Sequence, residues 1–231
     1  MWIQGLQKLS LLDYPEKMAA TIFTASCNFR CPFCHNASLV TRIDDKYRQS
    51  TEEVMAFLKK RRNLLEGVCI TGGEPLLQED LIDFIRDVKS LGYAIKLDTN
   101  GSDAKQLQYL VEQGLIDYVA MDIKNAPNKY ALTIDVEEDF LPEILQSVAY
   151  LLSDAVEYEF RTTLVQEFHK REDIAVLGKW LRGAKRYYLQ QFTDSGDLIN
   201  QGCHGYDDYM MNQIWELMKE YIPNVQLRGV E

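Results

Sequence analysis

Six short runs of apolar residues recur along the chain, separated by stretches whose apolar positions repeat every three to four residues. MAATIFTA (18–25) and GVCIT (67–71) are nearly continuous, the pattern of strands buried on both faces. AIKLDT (94–99), IDYVAMDI (116–123), VEYEFRTTLV (156–165) and RYYLQQF (186–192) follow. The intervening stretches read as amphipathic helices. Ser50 and Glu53 have the spacing of a capping box ahead of VMAFLKKRR. In EDLIDFIRDVKSLGY (79–93), Leu81, Ile82, Ile85, Val88 and Leu91 share one helical face, and Gly92 supplies the stop. DAKQLQYLVEQG (103–114) repeats that design, and segments 140–152, 172–181 and 206–222 extend it.

Strand-then-helix repetition predicts an α/β fold, a mainly parallel sheet with helices packed outside it. Six units are fewer than the eight of a closed barrel, which leaves a partial barrel or an open doubly wound sheet. In both, chemistry gathers at the C-terminal ends of the strands. The residues expected at those ends are CNFRCPFC, TGGEP, DTNG, MDIK, then Arg161, then Gln190, Gln191 and Phe192. All six ends are polar or otherwise special.

Composition narrows the class. The 231 residues, 46% apolar and 26% charged, suit one soluble globular domain spanning 1–231. No stretch reaches the ~18 apolar residues of a membrane span. The N-terminal segment mixes charge into its apolar positions, as a signal peptide does not, so a cytoplasmic location is expected. A net charge of −10 argues against a broad nucleic-acid or anionic-membrane surface. Five cysteines, three of them between residues 27 and 34, favour metal or redox chemistry over a disulfide framework.

Cys27, Cys31 and Cys34 have C-x3-C-x2-C spacing, and two readings compete. With His35 they could close a Cys3His zinc site that staples a loop. Adjacent side chains such as Cys34 and His35 point apart, so that site would want Cys69 or Cys203 instead. Alternatively, the three thiolates hold three irons of a 4Fe–4S cluster and leave the fourth iron open to an exogenous ligand.

That spacing, on a loop leaving the first strand of the repeat, resembles the radical S-adenosylmethionine (SAM) superfamily, and the resemblance runs over nearly the whole chain. It implies a partial (β/α)6 barrel of the TIM type, one 4Fe–4S cluster on Cys27, Cys31 and Cys34, and SAM as cofactor. Phe33 matches an aromatic that the family places near the adenine. TGGEP is similar to the family's glycine-rich segment, which implies that backbone at Gly72 and Gly73 meets the SAM ammonium while Glu74 adds negative charge. LDTNG and AMDIK resemble rim segments of the glycyl-radical-enzyme activases. By that likeness Asp98, Thr99, Asp122 and the carbonyl of Ala120 would surround a monovalent cation, Na+ or K+, although both aspartates could equally cap the segments that follow. Lys124 would reach the ribose and Arg161 would stand at the cofactor site. Activases can carry histidine at the end of the sixth strand, where this chain has Phe192, so Gln191 or Gln190 would substitute.

The opening GLQKLSLLDYPEKMAATIFTASCNFRCPFCHN resembles activating proteins of anaerobic ribonucleoside-triphosphate reductase, with Glu16 where those relatives tend to have glycine. CHN and DIK are also similar to pyruvate formate-lyase activating enzymes. Residues 35–66 hold no cysteine, so one cluster is expected. Cys69 and Cys203 read as a buried and an incidental thiol. The implied activity is reductive cleavage of SAM to a 5′-deoxyadenosyl radical that takes hydrogen from a glycine of a partner glycyl radical enzyme. A flavodoxin- or ferredoxin-type donor would supply the electron. The rival expectations are a radical SAM enzyme acting on a small molecule, and a zinc-stapled binding protein without catalysis.

Overall fold

The computed structural model describes residues 1–230. One eight-stranded sheet forms the centre, and its spatial order follows the chain. Strand β1 (Ile3–Ser10) runs antiparallel to β2 (Ala19–Thr24). The remaining strands are β3 (Gly67–Gly72), β4 (Ala94–Thr99), β5 (Tyr118–Asp122), β6 (Glu157–Leu164), β7 (Tyr187–Gln191) and β8 (Val225–Arg228), each parallel to the one before. The sheet is α/β and open: among the described residues β8 does not pair back to β1.

The six strands expected from apolar runs are β2 to β7, with ends matching to within two residues. The first and last strands were not legible. Register shifts at both ends of the β1–β2 pairing break the two-residue alternation that would have betrayed β1. β8 has only four residues, too few for a periodicity.

Helices fill the crossovers. A single turn, α1 (Ala37–Val40), follows the cysteine loop, and α2 (Thr51–Arg61) starts at the expected capping box, with Ser50 and Glu53 each bonded to the other's backbone. α3 (Leu81–Ser90) buries Leu81, Phe84, Ile85 and Val88. α4 (Ala104–Glu112) is capped by Asp103, whose carboxylate accepts from the Gln106 N–H at 2.9 Å. α5 (Tyr130–Ile134) is short; α6 (Leu141–Leu152), α7 (Arg171–Trp180) and α8 (Asp208–Lys219) complete the set. None is long and apolar enough to cross a membrane.

The two faces of the parallel strands differ. Val68 and Ile70, Ile95 and Leu97, Val119 and Met121, Tyr158 and Phe160 are buried residues of the apolar core that the helices share. A fully buried side chain of this kind contributes about 1.5–3 kcal/mol. The alternate positions, Cys69 and Thr71, Lys96 and Asp98, Glu159 and Arg161, meet one another by hydrogen bonds and ion pairs or line one cavity. The concave side of this sheet is therefore polar and charged.

Glu16 stands in the β1–β2 connection, next to the strand beginnings, at the end of the sheet opposite the cysteine loop. Its φ of +62° lies in the left-handed region, where a side chain is strained and glycine is not. The glycine that the resemblance implies here would carry no such strain, and the position removes the turn from any contact at the chemical rim. Glu16→Gly is expected to raise stability by up to ~1 kcal/mol in urea unfolding, relief of strain exceeding the added chain entropy.

Candidate functional site

The site begins where β2 ends. Ser26 takes φ +73°, a strained conformation that turns the chain sharply before Cys27, and its N–H donates to the Leu39 carbonyl at 2.8 Å. The glycine turn after β3 lies directly against this bend. The Gly73 N–H donates to the Thr24 carbonyl at 2.8 Å and the Glu74 N–H to the Ser26 carbonyl at 2.7 Å. A Cβ on Gly72 would sit 2.4 Å from the Thr24 oxygen, and one on Gly73 only 1.8 Å from the Ser26 oxygen. Both glycines are thus required by the packing of two backbones, before any ligand is considered.

Cys27, Cys31 and Cys34 line one cavity of about 290 Å³ at the strand ends. Gly72, Gly73, Asp98, Thr99, Asp122, Lys124 and Arg161 line the same cavity, as do Phe33 and His35. The cysteine loop and the ends of five strands, far apart in sequence, therefore face a common space. Burial, with a smaller push from Glu74, raises the Cys27 thiol to about 12; burial raises Cys31 to about 12. Both thiols are neutral at pH 7 and give up their protons when metal binds.

A cluster of hydrogen bonds that sequence reasoning missed surrounds Cys27. The Asn100 amide points at the Cys27 sulfur at 3.8 Å and donates to the Asn28 side chain at 3.0 Å, which in turn donates to the Ser102 hydroxyl at 2.8 Å. Asn100 belongs to DTNG, but only the successive registers of β2, β3 and β4 bring it to the cysteine loop. Phe33 is buried in edge contact with His169, another missed residue. The His169 Nε2 lies 2.8 Å from the Lys124 carbonyl and must donate to it, so Nδ1 accepts from the Val165 N–H at 3.1 Å. Burial lowers the pKa of this ring and keeps it neutral. It fastens the Lys124 backbone to the segment after β6.

Two expectations are corrected. Glu74 does not face the cavity: its side chain is completely buried and accepts from the Leu76 N–H (3.1 Å), the Thr99 hydroxyl (2.7 Å) and the Asn100 N–H (2.7 Å). These donors at the following turns draw the carboxylate inward, where burial raises its pKa to about 7. Gln191 is the other. Neighbours on a strand point to opposite faces; Gln190 lines the cavity, while Gln191 donates outward to the Tyr206 carbonyl and Asp208, both at 2.9 Å. Phe192 is buried and packs against the His35 ring, centroids 5.0 Å apart.

The oxygens expected to surround an alkali ion are arranged differently as well. Arg161 bridges the two aspartates, its Nε 2.8 Å from Asp122 Oδ1 and its Nη1 3.1 Å from Asp98 Oδ2. Lys96 pairs with Asp98 Oδ1, and Lys124 Nζ lies 3.0 Å from Asp122 Oδ2. Thr99 is turned to Glu74, and Ala120 is a buried strand residue opposite Asp98 that does not line the cavity. Those residues already satisfy one another, so the expected cation cage is not assembled. Burial alone would raise both carboxyls; Arg161 with Lys96 at Asp98, and Arg161 with Lys124 at Asp122, outweigh it and hold both below the usual range. Stability from these pairs is present above about pH 4 and is lost as pH falls toward the folded values. Replacing Arg161 by Gln should cost the unliganded protein about 3 kcal/mol at pH 7, and that deficit should shrink below about pH 4 in a urea series.

The donor set fits an iron–sulfur cluster better than a single ion. Among the described residues no three His, Cys, Asp or Glu side chains are grouped to hold one metal ion. Three soft thiols nonetheless open onto one cavity, as a group with several separate irons needs. Cys69 is buried beside Asp98 and Lys96, and Cys203 is buried in the apolar core, so neither is offered as a fourth ligand.

Residues 21–165 match the model of the Radical SAM superfamily. The chain is 32% identical over 237 residues to a protein of Methanocaldococcus jannaschii provisionally named as a glycyl-radical enzyme activating enzyme, a match covering 99% of this chain and 96% of that one. Streptococcus suis SuiB, solved bound to S-adenosylmethionine, shares the fold with a TM-score of 0.70 at 16% identity, over 89% of this chain and 49% of that chain. A domain of pyruvate-formate lyase-activating enzyme from Bacteroides vulgatus superposes with a TM-score of 0.57 at 19% identity, over 71% of this chain and 99% of that domain. With its family model spanning more than half the chain and a relative matched nearly end to end, this protein belongs to the radical SAM superfamily, and it is an enzyme.

Proposed function

We propose that the chain activates a glycyl radical enzyme, by generating a radical from SAM that removes hydrogen from the Cα of a glycine in that partner. The observation that carries the proposal is the opening of three cysteines and the charged strand ends into one cavity. The near full-length relative supports activation over other radical chemistries. When bound, a 4Fe–4S cluster supplies the electron that cleaves SAM to methionine and a 5′-deoxyadenosyl radical.

This chain's residues supply binding, orientation and shielding. Cys27, Cys31 and Cys34 would hold the cluster, and the Asn100 amide would orient the Cys27 sulfur. Backbone at Gly72 and Gly73 would meet the cofactor's ammonium, and Arg161 and Lys124, on the same cavity, would meet its carboxylate and ribose. Phe33, locked against Phe168 and His169, would pack against the adenine and exclude water. Gln190, rather than Gln191, would take the polar position left by Phe192. The gap between the edge strands β1 and β8 would admit the partner's glycine loop.

Anaerobic ribonucleoside-triphosphate reductase is the favoured partner, with a flavodoxin- or ferredoxin-type donor. Its support is the resemblance of the opening segment, whose residues 11–17 lie at the far end of the sheet from the cavity. The protein should be reconstituted anaerobically with iron and sulfide, reduced, and mixed with SAM and candidate reductase or formate-lyase subunits. 5′-Deoxyadenosine together with a glycyl radical signal in electron paramagnetic resonance is expected. Cofactor cleavage that gives a small-molecule product, and no protein radical with any candidate, would overturn the proposed partner class.

A further inference from the structure

The concave face of the sheet carries a network of buried charge that extends beyond the cavity. Lys96 lies two residues before Asp98, on the same face of β4, with its side chain only 3% exposed. On the other side, Glu159 accepts from both arms of Arg228, at 3.1 Å each, and lies 4.0 Å from Arg161. Arg228 comes from β8, so the last strand is tied to the same network.

We propose that Lys96, Arg161 and Lys124 together replace an alkali-metal ion beside the cofactor carboxylate, so that this protein binds SAM without Na+ or K+. The inference rests on the reading of the cavity as a SAM site. Every oxygen of Asp98 and Asp122 faces a nitrogen of one of these three side chains. Thr99, the neutral oxygen that would complete a cage, donates to Glu74 and accepts from the Gly101 N–H at 3.1 Å, which occupies its hydrogen and one of its two lone pairs. Because Arg228 holds Glu159 through two hydrogen bonds, Glu159 competes weakly for Arg161. Four basic groups then face three carboxylates, Asp98, Asp122 and Glu159, and the surplus of one positive charge suits an incoming carboxylate. Lys96 is the specific device. Arg161 can turn toward a ligand while Lys96, enclosed by Cys69 and Asp98, stays and keeps Asp98 neutralised. A further cation placed among three others in a buried site would be repelled.

The test uses the anaerobically reconstituted protein, desalted into buffer whose only monovalent cation is tetramethylammonium. SAM affinity should be measured by equilibrium dialysis, with and without added KCl or NaCl. Affinities within about twofold of one another are expected. Tightening by tenfold or more on adding K+ or Na+ would overturn the inference while leaving the SAM site intact. Absence of binding in every salt would overturn the functional reading and the inference with it. Lys96→Met keeps the length of the side chain and removes its charge. It should weaken SAM binding about tenfold in tetramethylammonium, with K+ or Na+ restoring part of the loss. A folded Lys96→Met protein, checked by circular dichroism, with unchanged affinity and no response to alkali ions would also refute the proposal. If that variant does not fold, the salt series on the unmodified protein decides.

Discussion

Cys31→Ala is expected to abolish both iron loading and cofactor cleavage. Cys31 is buried and lines the cavity, between Cys27 and Cys34 in the sequence of the same loop. Of the two spare thiols, Cys69 on β3 is enclosed by Lys96 and Asp98 of β4, and Cys203 is buried in the apolar core. A loop with two thiolates cannot retain a cluster whose three irons each need one. After anaerobic reconstitution, iron and sulfide per chain should fall to background, and 5′-deoxyadenosine formation should drop by at least ~10³-fold, the scale on which removal of a metal centre acts. The fold should survive, because removing the Cys31 sulfur leaves only a small void open to the cavity. Iron retained at wild-type level would refute the ligand assignment. Zinc held at one per chain by the unmodified protein in place of iron would restore the loop-staple reading.

Gly73→Ala should be the most damaging change outside the cysteines. The added methyl would start 1.8 Å from the Ser26 carbonyl oxygen, and that oxygen is itself held by the Glu74 N–H. Neither backbone can retreat, since Ser26 is already in the left-handed region and Gly73 is tied to Thr24. Overpacking of this kind costs up to about 3 kcal/mol, and here the strain falls on the residue preceding Cys27. Denaturant unfolding of the unliganded protein should show that loss, and reconstituted iron should fall with it. The control is Gly92→Ala: Gly92 is at positive φ, as Gly73 is not, but a Cβ there meets nothing, so a moderate loss of stability from backbone strain with normal iron content is expected. Equal iron loss in both variants would show that general destabilisation, and not the Ser26 contact, governs the loop.

The parts of this site that could be read from the sequence are those whose chemistry is local. Cys27, Cys31 and Cys34 lie in one loop, and their clustering points to a metal or redox site over a disulfide framework, with the choice of a cluster over zinc resting on the family resemblance. Gly72 and Gly73 sit together at a strand end. What escaped depends on register. Lys96 was visible as a polar residue in AIKLDT, yet that it meets Cys69 follows only from the parallel alignment of β3 and β4. Asn100 and His169 act across the barrel rim on Cys27 and Lys124, contacts separated by many residues in the chain. Gln190 and Gln191 were interchangeable until strand parity sent one inward. Glu74 shows a different limit. Its charge suggested a ligand-facing role, but three donors in the following turns outcompete the cavity for it. The edge strands β1 and β8 escaped because bulges and shortness erase the alternation on which strand recognition depends.

The inward turn of Glu74 also decides how a ligand at the glycine turn would be sensed. With the Gly73 and Glu74 N–H groups committed to Thr24 and Ser26, the turn has no ionisable group and no free amide at those positions to offer the cavity. Its remaining polarity is that of peptide oxygens, whose partial charge does not titrate. Direct contact at this corner therefore rests on fixed dipoles. Any dependence of binding on pH near neutrality should arise from the Glu74 carboxyl packed behind the turn, which burial raises to about 7, and from the ligand's own ionisation.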